Sequence, residues 1–284
     1  MGYNPPIPVS ERDLRSSGST LRILFITDIH SNLEGLEACI AAVPDHDMVV
    51  NLGDIVGYGG SPNEVTDRSR ALCDVFVRGN HDKACTGISG VEDFNPIAGM
   101  AAMWTRQALT PENLDWLRAL PQGPVQLENL FPVPENVGNG SRVAKVQCVH
   151  GSPLDEDEYI IVMRDAYMPL MSTDATVTFF GHTHIQGGFC VHGEQWDTLR
   201  PMYRSKGELE SVSLDLRRDG KYLLNPGSVG QPRDGDWRAA CSLFDSEAYK
   251  VTFYRVPYNL EKAQKTILDA KLPDRLALRL ADGR

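Results

Sequence analysis

LRILFITDIHSN, residues 21–32, is the stretch from which the fold can be read. Its first seven residues form an apolar, β-branched run, as expected of a buried strand. Asp28 and His30 follow at once, and then Leu33, Leu36, Ile40 and Val43 recur at helical spacing. Residues 48–52 (MVVNL) read as a second buried strand. Ser61, Pro62 and Glu64 predict a helix start, with Ser as N-cap and Pro at the first helical position. Residues 75–77 are a third strand. This β-α-β-α-β order implies a parallel sheet with helices on its faces, hence an α/β protein.

Outward from this core, residues 95–120 carry a helical pattern that restarts at Thr110-Pro111. Residues 131–141 (FPVPENVGNGS) are a Pro/Gly/Asn-rich loop. Strands are expected at 143–149 and 177–180, with a helix between them near 159–171. The acidic run 155–158 (DEDE) reads as the start of that helix, where acids are favoured. Asp219-Gly220, between VSLDLRR and KYLLN, predicts a β-hairpin. A final polar helix begins near Asn259. The expected organisation is a tail over 1–20 and a single domain over 21–284. That domain would hold a cap-like helical insert at about 92–121 and a C-terminal helical segment at about 258–284.

Composition narrows the function classes. The 284 residues are 42% apolar and carry a net charge of −10, which argues against general nucleic-acid binding. No apolar run approaches the roughly 20 residues of a membrane span, and residues 1–20 do not read as a signal peptide. The six cysteines form no CxxC pair, and several sit in apolar runs, as reduced buried thiols do. A cytoplasmic protein is expected. A homo-oligomer is compatible with the sequence, but no interface can be named from it.

Five strands deliver Asp, Asn or His to their carboxyl ends, where α/β sheets bind ligands. The sites are Asp28 and His30; Asp54; Asn80, His81 and Asp82; His150; and His182 and His184. Five of the chain's seven histidines fall there. Asp-x-His and His-x-His spacing puts two side chains on one side of an extended segment. Of the other two, His46 and His192 read as exposed loop residues.

The blocks DIHSN (28–32), GD (53–54), GNHD (79–82), HG (150–151) and GHTH (181–184) resemble, in order and content, the calcineurin-like metallophosphoesterase family. The run NPGSVG (225–230) is similar to its small bacterial and archaeal branch. The resemblance implies a four-layer α/β/β/α sandwich of two mixed sheets flanked by helices. It also implies one metal held by Asp28, His30 and His184, another by Asn80, His150 and His182, and Asp54 bridging both. His81 would face the substrate, oriented by a hydrogen bond to Asp82. Imidazole with carboxylate suits Mn, Fe, Co, Ni or Zn. The implied function is hydrolysis of a phosphomonoester or phosphodiester by a metal-bound hydroxide, with a dinucleoside-polyphosphate hydrolase or a phosphoprotein phosphatase as alternatives. The Arg that follows GD in the Ser/Thr phosphatase branch is absent, since Ile55-Val56-Gly57-Tyr58 stands there. A non-catalytic scaffold on the same fold is the reading of another class, and the complete ligand set argues against it. Arg78, Arg233 and Tyr58 are candidate substrate contacts, with salt-bridged or plain surface roles as the alternatives.

Overall fold

The computed structural model describes residues 21–127 and 145–284. The expected tail over 1–20, the loop over 131–141 and the start of the strand at 143 lie outside them. Strands β1 (Arg22–Ile26), β2 (Met48–Asn51) and β3 (Val75–Phe76) alternate with helices α1 (Leu33–Ala42) and α2 (Pro62–Leu72). The three strands pair in parallel, with Ile23 opposite Met48 and Val50 opposite Val75. Helix α3 (Asn80–Thr86) follows directly, then α4 (Pro96–Ala108) and α5 (Pro111–Arg118). Asn95 and Thr110 cap the last two through Ala98 N (3.0 Å) and Asn113 N (3.3 Å), where the sequence places the restart. Ser61 occupies the N-cap of α2 without a capping side-chain bond.

The second half supplies β4 (Val125–Gln126), β5 (Val146–Cys148), α6 (Met163–Ser172), β6 (Val177–Phe179), β7 (Gly187–His192) and β8 (Gln195–Leu199). After these come β9 (Glu210–Asp215), β10 (Lys221–Asn225), β11 (Ala239–Asp245), β12 (Lys250–Val256), α7 (Leu260–Asp269) and α8 (Asp274–Asp282). Two six-stranded mixed sheets result, ordered β3-β2-β1-β11-β12-β9 and β4-β5-β6-β10-β7-β8. Phe25 and Phe179 stack between them at 3.6 Å, within a layer that includes Ile23, Val50, Val177 and Leu224. Burying each such side chain contributes about 1.5–3 kcal/mol. Helices α1 and α2 cover the outer face of the first sheet and α6 that of the second. Helices α4, α7 and α8 pack together through Ala98, Ala101, Ile267, Leu276 and Leu280.

Four expectations are corrected. Asp219-Gly220 does not close a hairpin: β9 pairs with β12 in the first sheet, and β10 lies between β6 and β7 in the second. The turn carries the chain from one sheet to the other, because Tyr222, Leu223 and Leu224 are wholly buried among second-sheet partners. The acidic run 155–158 forms a turn, and α6 begins later, at Met163. The C-terminal helix is two helices, broken at Lys271, whose φ is 56°, and Pro273. His46 and His192 are half-buried rather than exposed. All six cysteines are buried and free. No helix of the described residues is long and apolar enough to cross a membrane.

Candidate metal centre

Strands β1, β2 and β3 are parallel, as are β5, β6 and β10 in the other sheet. The loops after them meet along one seam. The NPGSVG run stitches it: Ser228 Oγ donates to Asp28 O (2.8 Å), and Val229 N donates to Thr27 O (3.0 Å). Asn225 Nδ2 donates to Gly181 O (2.8 Å), joining β10 to the loop after β6. Asn32 caps α1 through Gly35 N and donates to Gly230 O (3.1 Å). Close approach requires glycine at two points. Gly53 has φ 101°, and a Cβ there would meet Gly79 N; a Cβ at Gly79 would strike the Asp54 carboxylate.

The side chains gather into two buried sets that share Asp54. In each, the ligand atoms lie within 4.8 Å of one another: Asp28, His30, Asp54 and His184 in one, and Asp54, His150 and His182 in the other. His150 Nε2 lies 3.2 Å from Asn80 Oδ1, which adds Asn80 to the second set. His81 stands outside both, packed against Tyr58 (4.4 Å), Phe94 (4.7 Å) and His30 (4.8 Å). Asp28, His30, Asp54, Tyr58, His182 and His184 all have φ between 47° and 65°. Left-handed backbone is uncommon outside glycine and costs on the order of 1 kcal/mol or more per residue.

The outward hydrogen bonds fix the imidazole tautomers. His30 Nδ1 faces Val56 O (3.1 Å), His150 Nδ1 faces Leu52 O (2.8 Å) and His184 Nδ1 faces Gln231 O (2.6 Å). A carbonyl only accepts, so each Nδ1 carries a proton. In the neutral rings of His30 and His184, Nε2 is then a bare lone pair. These two lone pairs face each other at 3.1 Å. Asp54 Oδ2 lies 3.6 Å from His30 Nε2, and Asp28 Oδ1 lies 3.4 Å from His184 Nε2. Converging lone pairs and carboxylates repel unless a cation lies among them, so this donor set fits a metal ion. His182 inverts the pattern: its Nε2 donates to Asp157 O (3.1 Å), which leaves Nδ1 for a ligand.

Burial lowers His30 and His184 well below the ordinary histidine value, and lowers His182 to about 3 and His81 to about 4. All four are neutral at pH 7, the form in which imidazole binds metals. Burial also lowers His150, but the Asp54 charge outweighs it and raises the ring to about 10. Burial pushes Asp54 up, and His150, His81 and His30 together outweigh it and hold Asp54 well below the carboxylate range. Asp28 is raised by burial to about 7.

Asp82 does not bond His81 as expected. Its carboxylate accepts from the backbone N–H groups of Gly79 (3.0 Å), Asp54 (2.9 Å), Ile55 (3.0 Å) and Val56 (3.3 Å). It therefore clamps the loop that presents Asp54, and Asp54 in turn accepts from His81 N (2.7 Å). Arg78 is turned toward Glu156 (3.3 Å), and Lys83 holds Glu156 (3.0 Å) and Asp157 (2.5 Å). Tyr58 packs on His30 at 4.7 Å. Arg233 lies beside Tyr58, 5.8 Å from its ring centroid. Sequence reasoning missed Tyr159, whose ring lies 3.8 Å from His182 and whose hydroxyl meets Arg233. Its position directly after the acidic run was the available signal. A cavity of about 560 Å³ opens beside the centre, lined by Thr183, Ile185, Phe189 and Tyr203 but by none of the candidate ligands.

The family model of the calcineurin-like phosphoesterases matches residues 21–186, a segment that contains every candidate ligand. The chain belongs to this family. An uncharacterized protein of Methanocaldococcus jannaschii is 34% identical over 264 residues, covering 92% of this chain and 98% of the relative. A metallophosphoesterase from Sphaerobacter thermophilus, known as a crystal structure, is 37% identical with a TM-score of 0.72, covering 94% of this chain and all of its own. A hypothetical protein from Pyrococcus horikoshii, at 18% identity and a TM-score of 0.68 over 93% of this chain and 99% of its own, shares the fold.

Proposed function

We propose that this phosphoesterase hydrolyses a phosphomonoester or phosphodiester at a dinuclear centre of divalent transition-metal ions, drawn from Mn, Fe, Co, Ni and Zn. Asp28, His30 and His184 would hold one ion, Asn80, His150 and His182 the other, and Asp54 would bridge. The observation that carries this is the 3.1 Å approach of the His30 and His184 lone pairs beside two buried carboxylates. Bound there, such ions supply Lewis-acid activation of water and offset phosphate charge.

The chain's own residues do the rest. His81 stands at the rim, neutral down to about pH 4 because burial lowers it. It would act as a neutral imidazole hydrogen-bonding the leaving oxygen. Asp82 positions the Asp54 loop. Arg233, which no acid pairs among the described residues, is the cation for a phosphoryl oxygen, with Tyr58 at its side. Arg78 serves the acidic turn instead. We read residues 21–284 as one domain, with the segment at 92–121 capping the His81 side through Phe94. Free buried cysteines favour a cytoplasmic setting.

The test is hydrolysis of bis-p-nitrophenyl phosphate and p-nitrophenyl phosphate by protein treated with chelator and then given Mn. Turnover that vanishes and returns supports the reading, and the faster substrate assigns diester or monoester chemistry. Absence of both turnover and bound metal would reject it in favour of the scaffold.

A further inference from the structure

Two arginines from distant parts of the chain converge on one aromatic ring at the edge of the centre. The guanidinium carbons of Arg233 and Arg279 lie 5.8 and 5.9 Å from the centroid of Tyr58. Tyr58 in turn packs 4.7 Å from His30 and 4.4 Å from His81. Arg279 comes from α8, far outside the segment that carries the family's motifs.

Neither arginine has an acidic side-chain partner among the described residues. Among the described residues, Arg233 Nη2 has only Gln231 Oε1 (3.2 Å) and the Tyr58 hydroxyl (3.5 Å), beside the Tyr159 hydroxyl, and its Nε is buried without a partner. Arg279 Nε donates to the main-chain oxygen of Arg284, the last residue of the sequence. Arg275, one turn earlier on α8, is exposed and also lacks an acid. Like charges four residues apart weaken a helix. The contrast with the rest of the chain is informative. Arg68, Arg78, Arg238 and Arg255 are each matched to a carboxylate, in a protein of net charge −10. Carboxylates are plentiful, yet among the described residues no Asp or Glu side chain forms an ion pair with either arginine. Burial, with Arg233 close by, pushes the Arg279 guanidinium below its ordinary value. Half-buried like charges side by side are costly to hold, and an anion between them relieves the cost through charge-assisted hydrogen bonds.

We infer that Arg279, together with Arg233, binds a second phosphoryl group of the substrate, so that the preferred substrate carries two linked phosphoryl groups rather than one isolated phosphate ester. One phosphoryl group lies at the metal centre and its neighbour lies over Tyr58. This rests on the site being a phosphoester hydrolase and narrows the class of ester it takes. Arg279 acts in binding and does not touch the reacting atoms.

The test is calorimetric titration of the protein, with its metals in place and their content measured before and after, using orthophosphate and the non-hydrolysable imidodiphosphate. Wild-type protein is expected to bind imidodiphosphate at least about tenfold more tightly than orthophosphate, given what charge-assisted bonds contribute. Arg279→Met should remove about tenfold from imidodiphosphate affinity and much less from orthophosphate affinity. Arg279→Lys, which keeps the charge but loses the fork, should recover part of the difference. Equal losses for both ligands, or none for either, would overturn the inference, and the lysine variant decides if the methionine variant does not fold. Failure of the hydrolase reading looks different: wild-type protein would then carry no metal and bind neither anion.

Discussion

His30 and His184 are anchored to backbone carbonyls deep in the fold, at Val56 and Gln231, whereas His182 is anchored to a turn at the surface. The first pair belongs to a set whose members are all essentially inaccessible, and their supports belong to loops sewn together by the run 225–230. The second set leans on Asp157 O, and the Asp157 side chain is 52% exposed. That turn is kept in place by Lys83 and Arg78, which reach it from α3 and from the residue just before Gly79. Both ends are built from the same residue types, and His150 too is held by a buried main-chain carbonyl, that of Leu52, but the support of His182 sits on a turn that ion pairs keep in place. Main-chain supports cannot be removed by mutation or screened by salt; ion pairs can. The two proposed metal positions should therefore differ in affinity, with the looser one at His150 and His182.

The change that would erase this difference is at the shared ligand. Asp54→Asn should lower activity by at least about a thousandfold, because the several kcal/mol that the metals supply would be lost at both positions. Metal analysis should show both sites depleted together, and depletion of one alone would reject the bridging role. Next in size is His81→Ala, which leaves both ligand sets intact. Its kcat should fall about 10²–10⁴-fold with metal content unchanged, so full activity would remove His81 from the mechanism.

Gly79→Ala drives a methyl group into the Asp54 carboxylate. Overpacking of this kind costs about 1–3 kcal/mol, read as a lower melting temperature, with weaker binding at both positions. The most selective probe is Lys83→Met, which frees the acidic turn. One metal position should weaken by about tenfold or more while the other is unchanged, the usual scale for loss of an outer support. Equal weakening of both positions would mean that the turn does not distinguish them. High salt should mimic this variant in part, since the Asp157 end of its pair with Lys83 is half exposed.

The candidate centre was more legible in the sequence than the topology around it. Asp28, His30, Asp54, Asn80, His150, His182 and His184 could be found because each follows a short apolar strand, and the placing of a strand end is a local property of the chain. Asp219-Gly220 misled for the complementary reason. Its turn chemistry is genuine, but which sheet receives the next strand depends on burial of Tyr222, Leu223 and Leu224 against distant partners. The acidic run also has two local readings, a helix start or an ion-paired turn, and only the approach of Lys83 and Arg78 decides between them. Asp82 was expected to serve His81 and instead caps four backbone N–H groups, whose convergence depends on the left-handed turn at Gly53 and Asp54. Arg279 was invisible because nothing near it in sequence bears on the site.

The antiparallel partner of β1 is β11, with Arg22 opposite Asp245. During synthesis, the strand that leads to Asp28 therefore leaves the ribosome roughly 200 residues before β11, so that edge stays unpaired through this interval. At roughly 5–20 residues per second this delay is on the order of ten seconds or more. The run 225–230, which stitches the seam, also arrives late. Every candidate metal ligand has been translated by His184, yet the frame that holds them together is not complete until β11 follows. A nascent chain would carry an exposed β1 edge through this interval, which makes the protein's own order of translation the period of its greatest exposure to misassembly.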